Sequence, residues 1–299
     1  MSVSSTWGGR SDFPATEAML LLVAIFWGTS YGMTKSALLF TSVFMFLAIR
    51  FLMTFALLLI PTIQDFRASK NKDWQVALPT GLILLAIFCC EVLGVSQTTA
   101  TNAAFLISLS IVLTALVEVL VNRQRLNLKL LALACASVIG VGMLTFDGTI
   151  QLSLNTGDRL ILLAALLRAL MVTTTKRFTE GKQVTTLSLT ALQSLVVGTG
   201  ALIMVLFQHI TQETVTLPMS TSFWMITLYL VICCTLFAFF AQNYAVRRTS
   251  PTRVSLLMGS EPLFGALFAT IWLGESLTLV QYLGGAIILS AVTVASLSK

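Results

Sequence analysis

Mostly apolar runs of about 20 residues, the length a helix needs to cross a hydrocarbon core of roughly 30 Å, follow one another along nearly all of this chain. Few folds tolerate that pattern. Of 299 residues, 57% are hydrophobic and only 10% charged, where soluble domains run near a quarter charged. Nothing between the runs is long enough to form a soluble domain, so the lipid bilayer is the first partner the sequence implies. Residues 1–16 are polar with one Arg and lack the apolar core and small-residue cleavage site of a secretory signal, which reads as a retained tail.

Ten spans are predicted, at about 17–35, 42–62, 76–96, 101–121, 130–146, 159–177, 185–208, 223–245, 253–273 and 279–297. With the N-terminus in the cytoplasm, one side collects Arg10, Arg67, Lys70, Lys72, Arg123, Arg125, Lys129, Lys176, Arg177, Lys182, Arg247, Arg248, Arg253 and Lys299, and the other only Lys35 and Arg159. Loop cations favour the cytoplasm, so both termini are expected inside a cytoplasmic (inner) membrane. Trp74, Trp224 and Trp272 fall at span ends, where amphipathic rings settle among headgroups. The net charge of +6 is scattered in short clusters rather than gathered on one face, which argues against nucleic acid. The five cysteines lie inside apolar segments without metal-ligand spacing, so neither a metal nor a cofactor is expected.

The chain also matches itself. Residues 94–128 align without a gap to 245–279, pairing Thr98 with Thr249, Thr101 with Thr252 and Ala115-Leu116 with Ala266-Leu267. Span one ends 27-WGTSYGMTK-35 and span six ends 168-RALMVTTTK-176, and Arg50 in span two falls opposite Gln193 in span seven. Two halves of five spans insert in opposite senses because five is odd. An inverted repeat marks many secondary transporters, whose substrate sites lie near the midplane between the halves.

On 27-WG-28, 47-LAIRF-51, 98-TTATNAA-104, 249-TSPTRVSLL-257, 261-EPLFGALFA-269 and 274-GESLTLVQYLGGAIILSA-291, the chain resembles the drug/metabolite transporter superfamily, in its ten-helix EamA-type branch. The resemblance implies an all-α integral membrane protein with ten transmembrane helices in two inverted five-helix repeats, residues 17–146 and 159–297, around a central cavity. Spans 1–4 and 6–9 would build that cavity and spans 5 and 10 would stand outside it. Two departures stand out: 122-NRQRL-126 replaces the Gly-Glu signature found at 273-LGESL-277, and position 168 carries Arg where an aromatic or small residue is expected.

Four charged residues lie well inside spans: Arg50, Glu91, Arg168 and Glu261. Each costs on the order of 2.5–3.5 kcal/mol at a helix centre, so pairing or a wet cavity is expected. Glu261-Pro262 should mark a bend in span nine facing the cavity, as a gate, a coupling acid or a family-typical bend. Arg50 reads as an ion pair, a carbonyl clamp or part of a gate. Glu91 could bind an ammonium or a proton, or pair with Arg50. Glu118 is expected to pair with Arg123 and Arg125. Arg168 offers a planar fork for a substrate carboxylate, or an internal ion pair. Trp27 and Tyr31 could form an aromatic wall, although packing is the commoner reason for aromatics on a helix. Asn102, Gln193, Gln242 and Asn243 are uncharged polar candidates. His209 stands at a span end, where a solvated imidazole is the default.

These features predict a secondary transporter, working as monomer or homodimer by alternating access, that exports small organic metabolites such as amino acids or related carboxylate-bearing solutes, with Glu91 or Glu261 as candidate proton carriers. Exporters of hydrophobic drugs or nucleobase-like compounds are the alternative substrate reading. Direct ATP hydrolysis is disfavoured, since nothing resembles a phosphate-binding loop. A membrane-embedded enzyme acting on a lipid-linked substrate would need a convergent catalytic set, and the acids fall on separate helices with one His at a span end.

Overall fold

A computed structural model describes residues 12–122, 127–146, 155–210, 218–273 and 277–297. Among them all regular structure is helical. The ten spans are α1 (Asp12–Leu38), α2 (Val43–Arg67), α3 (Ala77–Gln97), the pair α4 (Ala100–Ser108) and α5 (Ser110–Asn122), α6 (Leu128–Leu144), α7 (Thr156–Thr179), α8 (Thr186–Ile210), the pair α9 (Thr221–Tyr229) and α10 (Ala238–Val246), the pair α11 (Pro251–Met258) and α12 (Glu261–Leu273), and α13 (Leu279–Leu297). Among the described residues, seven spans are long and apolar enough to cross a membrane on length and composition alone, and α6 is a shorter apolar helix. Of the remaining two, α7 carries Arg168 and the span made by α11 and α12 is interrupted.

Local chemistry sets the boundaries. Ser42, Thr99, Asn127 and Ser250 each accept a backbone N–H three residues on, and Asn155 with Asp158 forms a reciprocal capping box. Lys35, at the end of α1, donates to the carbonyl of Thr98 at 2.8 Å, and its repeat counterpart Lys176, at the end of α7, donates to the carbonyl of Arg247 at 3.3 Å. Both lysines thus meet the negative C-terminal end of another span, α3 in the first half and α10 in the second. This is the inverted repeat written in side chains.

Spans four and nine are expected as single bent or straight helices, but each is broken, and at matching repeat positions. The first break falls at Leu109 and the second at Gly259-Ser260. Pro262 therefore sits in the first turn of α12 rather than in a helix interior, where its missing N–H removes no intrahelical bond. The breaks touch: a Cβ built on Gly259 would come within 2.3 Å of the Ile111 side chain. The eighth span contains a π-helical stretch, Leu230–Phe237, in which the Thr235 hydroxyl donates to the Leu230 carbonyl at 2.8 Å.

The main helix contacts cross between halves: α2 packs on α8, α3 on α7, α5 on α7, α1 on α12 and α6 on α13. The α6–α13 pair touches backbone to backbone, because a Cβ on Gly284 would lie 2.5 Å from the Gly140 carbonyl oxygen. At one end of the bundle the α2–α3 and α7–α8 turns are clasped together. Asn71 donates to Ser188 and accepts from the Thr185 N–H, and Asp73 accepts the Gln183 N–H at 2.8 Å. Large apolar side chains such as Ile60, Leu78, Ile203, Phe207, Met225 and Ile271 stay exposed around the outside, facing where lipid lies. Trp74 and Trp224 are part-exposed at span ends as expected. The side chains of Trp272 and His209, the 123–126 segment and the 274–276 part of the Gly-Glu signature lie outside the described residues.

Candidate functional site

The site begins with two glycines. A Cβ on Gly28 would fall 2.7 Å from both the Glu261 carbonyl oxygen and the Gly265 amide, and one on Gly265 would fall 2.8 Å from the Gly28 carbonyl. Only glycine at both positions lets α1 and α12 approach this closely, which gives the 27-WG-28 and 261-EPLFG-265 motifs a common physical reason. That contact carries the Glu261 carboxylate to Tyr31, whose hydroxyl donates to Glu261 Oε1 at 3.0 Å.

Arg168, from the middle of α7, stands between two acids. Its Nε lies 3.2 Å from Glu91 Oε2 and its Nη1 lies 3.6 Å from Glu261 Oε1. A second nitrogen, Nη2, donates to Glu91 Oε1 at 3.5 Å. The guanidinium carbon lies 4.7 Å from the centre of the Trp27 ring, within cation–π range. Trp27 is itself fixed by donation from its Nε1 to the Cys234 carbonyl at 2.9 Å. Of the two readings of Arg168, substrate anchor or internal ion pair, the geometry is that of the ion pair, because the fork already holds two carboxylates. The Glu91–Arg50 pairing is corrected too, since Glu91 pairs with Arg168.

Arg50 is buried beside that cluster, on the same cavity as Glu91 but not in ion-pair contact with it. Its Nε donates to the Thr235 hydroxyl at 2.6 Å and its Nη2 to the Cys234 carbonyl at 3.4 Å, so it clamps the π-helical stretch. Phe46, Phe51 and Phe88 surround it at 5.3 to 5.9 Å.

Two cavities meet at the Glu91–Arg168 pair. One, with an empty volume of about 600 Å³ including its mouth, is bounded by Trp27, Phe88, Phe239 and Met258 and by the polar groups of Gln242 and Ser255. The other, about 370 Å³, is bounded by Ser30, Tyr31, Thr34, Arg50, Val92 and Val95. Glu91, Arg168, Trp27 and Phe88 border both. Ser30, Tyr31 and Thr34 follow Trp27 along α1 as Val92 and Val95 follow Glu91 along the parallel α3, so the cavities open towards opposite ends of the bundle.

Of the residues singled out from sequence, Trp27, Tyr31, Arg50, Glu91, Arg168, Gln242 and Glu261 come together here, with Pro262 buried beside them. Asn102 and Gln193 do not. Asn102 is exposed in the first turn of α4, where its N–H meets the Thr99 cap. Gln193 is buried between helices, donating to Thr80 and accepting from Asn243, both at 2.8 Å. Glu118 accepts the Thr252 N–H at 3.0 Å and its hydroxyl as well, and so caps α11; Arg123 and Arg125 lie outside the described residues. Sequence reasoning missed Ser108, Ser110 and Ser255, which border the first cavity. The signal for Ser110 was present, because it is the repeat counterpart of Glu261.

Comparison with known proteins agrees with this architecture. The pattern of the EamA-like transporter family matches residues 15–146 and 155–297. A protein of Archaeoglobus fulgidus named as an uncharacterized transporter is 28% identical over 93% of this chain and 84% of its own. A second transporter so named from the same organism is 27% identical over 93% of this chain and 96% of its own. A crystal structure of another protein, 16% identical, superposes with a TM-score of 0.78 over 94% of this chain and 96% of its own, a likeness of fold.

Proposed function

The chain belongs to the EamA-like transporter family, and from that premise we propose that it moves a small amine-bearing organic metabolite, such as an amino acid, across the cytoplasmic membrane by alternating access. No covalent step is involved, both termini are cytoplasmic, and export is the working direction.

One observation carries the substrate reading. With both acids ionised, a single guanidinium between two carboxylates leaves the cluster one surplus negative charge that Arg50 offsets only from beyond ion-pair distance, and a buried charge without a close partner is costly. An ammonium group or a proton fills that deficit, whereas a carboxylate brought to Arg168 has to displace an acid already there. The aromatic and aliphatic walls favour an apolar substituent beside the amine. Because Glu91 borders both cavities, a cation held there can be released to either.

The apolar majority of the first cavity also supports a second reading, export of uncharged hydrophobic drugs or nucleobase-like compounds. Thermal stabilisation of the detergent-purified protein separates the two, since a ligand that binds the folded state raises apparent stability. Primary amines with apolar substituents should raise the melting temperature, and Glu91→Gln should weaken the effect at a given amine concentration. Stabilisation by neutral analogues with no response to the amines would overturn the amine reading in favour of the second.

A further inference from the structure

The four charges inside the spans sum to zero, but their pairing does not. Both carboxylates lie on Arg168, and Arg50 makes no ion pair among the described residues. Its two hydrogen bonds, to Thr235 and Cys234, go to neutral groups and use Nε and Nη2. Nη1 has no hydrogen-bond partner among the described residues. Only 4% of the residue is exposed, three phenyl faces surround its guanidinium, and it borders the second cavity beside the side chains of Ser30, Tyr31 and Thr34. Its charge is met only from beyond ion-pair distance, by Glu91 across the cavity, and a buried cation without a close partner is costly. A clamp on the π-helical stretch explains two nitrogens and leaves the charge unexplained.

We propose that Arg50 is an anion subsite, taking the carboxylate of a solute whose ammonium is held at Glu91. This rests on the amine reading given above and adds to it the recognition of the opposite end of the solute. Glu91 and Arg50 border the same cavity, so a zwitterion lying across it compensates the surplus negative charge with one end and the unpaired positive charge with the other. Anion recognition thereby moves from Arg168, where the residue type alone suggested it, to a guanidinium with a nitrogen still open.

The test uses a matched trio of probes, L-phenylalanine, phenethylamine and 3-phenylpropionate, measured by equilibrium binding to the full-length protein in detergent. Wild type should bind L-phenylalanine more tightly than phenethylamine. Arg50→Gln should weaken L-phenylalanine and 3-phenylpropionate by about tenfold to a hundredfold, the loss of one charge-assisted contact, and leave phenethylamine unchanged. Arg50→Lys should fall between. Thr235→Val, which removes the clamp's hydroxyl and keeps the guanidinium, should leave the ratio of the first two probes as in wild type, and it reads the anion contact separately from any folding defect. The subsite is overturned if neither carboxylate-bearing probe binds wild type, or if the Arg50 variants bind both as wild type does. Failure of phenethylamine to bind wild type, with 3-phenylpropionate binding lost in Arg50→Gln, would sink the amine reading and keep the anion subsite.

Discussion

Arg168 stacks on Trp27, its guanidinium carbon 4.7 Å from the ring centre, and the two are counterparts in the two halves of the chain. Residues related by an inverted repeat meet at the centre only close to the axis that relates the halves. Here one half supplies a cation and the other an aromatic face, so the symmetric scaffold encloses an asymmetric site. The two acids come from α3 and α12, which are not counterparts, and they complete that asymmetry.

Removing Arg168 alone should be worse than removing it with an acid. Arg168→Gln leaves two buried carboxylates without a counter-cation, and breaking a buried pair typically costs about 3–5 kcal/mol. The variant should accumulate poorly and melt early. Adding Glu91→Gln should recover much of the loss. Arg168→Lys should be intermediate, because an ammonium does not bridge two carboxylates while stacking on indole. A Gln variant melting like wild type would show that the cluster contributes little to stability.

If transport is coupled to protons, Glu91 should carry the coupling, because it borders both cavities while Glu261 is held by Tyr31 as well as Arg168. In reconstituted vesicles, Glu91→Gln should abolish the response to an imposed pH gradient while substrate binding stays measurable. Glu261→Gln should keep the response. The opposite pattern would transfer the role to Glu261, and an unchanged response in both would leave the acids structural.

Gly28→Ala should inactivate the protein, since the added carbon falls 2.7 Å from backbone atoms of Glu261 and Gly265 that have no side-chain freedom to yield. Gly32→Ala, one turn along the same helix with nothing within 4 Å, is the matched control and should transport normally. Equal activity in both would remove the reason given for the glycine motifs.

Topology can be read by labelling single cysteines in a background free of the native five. Lys70→Cys and Lys182→Cys sit on the clasped turns and should react from one side of the membrane, which the distribution of cations makes the cytoplasmic one. Leu39→Cys, 84% exposed in the α1–α2 turn, should react only from the other. Labelling of Lys70→Cys and Lys182→Cys from different sides would contradict the clasp itself.

The clasp should also loosen in acid. Asp73 is held below the usual carboxylate range, first by the Gln183 N–H and then by Lys182. A depressed native value means the contribution is fully present above the ordinary Asp range and is lost as pH falls through the native value. Hydrogen exchange at the Gln183 amide, taken relative to its intrinsic rate at the same pH, should accelerate through that acid window in wild type. In Asp73→Asn it should be fast on both sides of the window.

Much of this fold was legible because lipid makes it so. The ten spans follow from apolar length, and the counterparts Trp27 with Arg168 and Lys35 with Lys176 follow from the chain's likeness to itself. The Glu261-Pro262 pair announced a bend facing a cavity, since a carboxylate and a missing N–H are tolerated together only where a cavity or helix end receives them, and the structure turns that bend into a full break at Gly259-Ser260. The matching break at Leu109 was silent: 107-ISLSI-111 has neither Pro nor Gly, and its neighbours across the interface decide it. The partners of Arg168 and Gln193 were hidden for a related reason. Which polar faces meet depends on how two antiparallel halves dock, and spacing within one helix carries no record of that.

The unequal lengths of the packed pairs bear on the membrane around the protein. The helices α6 and α13 have 17 and 19 residues, about 26 and 29 Å at 1.5 Å per residue, just under the roughly 30 Å of an average hydrocarbon core. The helices α2 and α8 have 25 residues each, about 38 Å on the same scale. On length alone the first pair spans such a slab only when nearly upright, while the second has length to lean or to protrude, so local thinning of the bilayer is expected beside α6 and α13 rather than uniformly around the molecule.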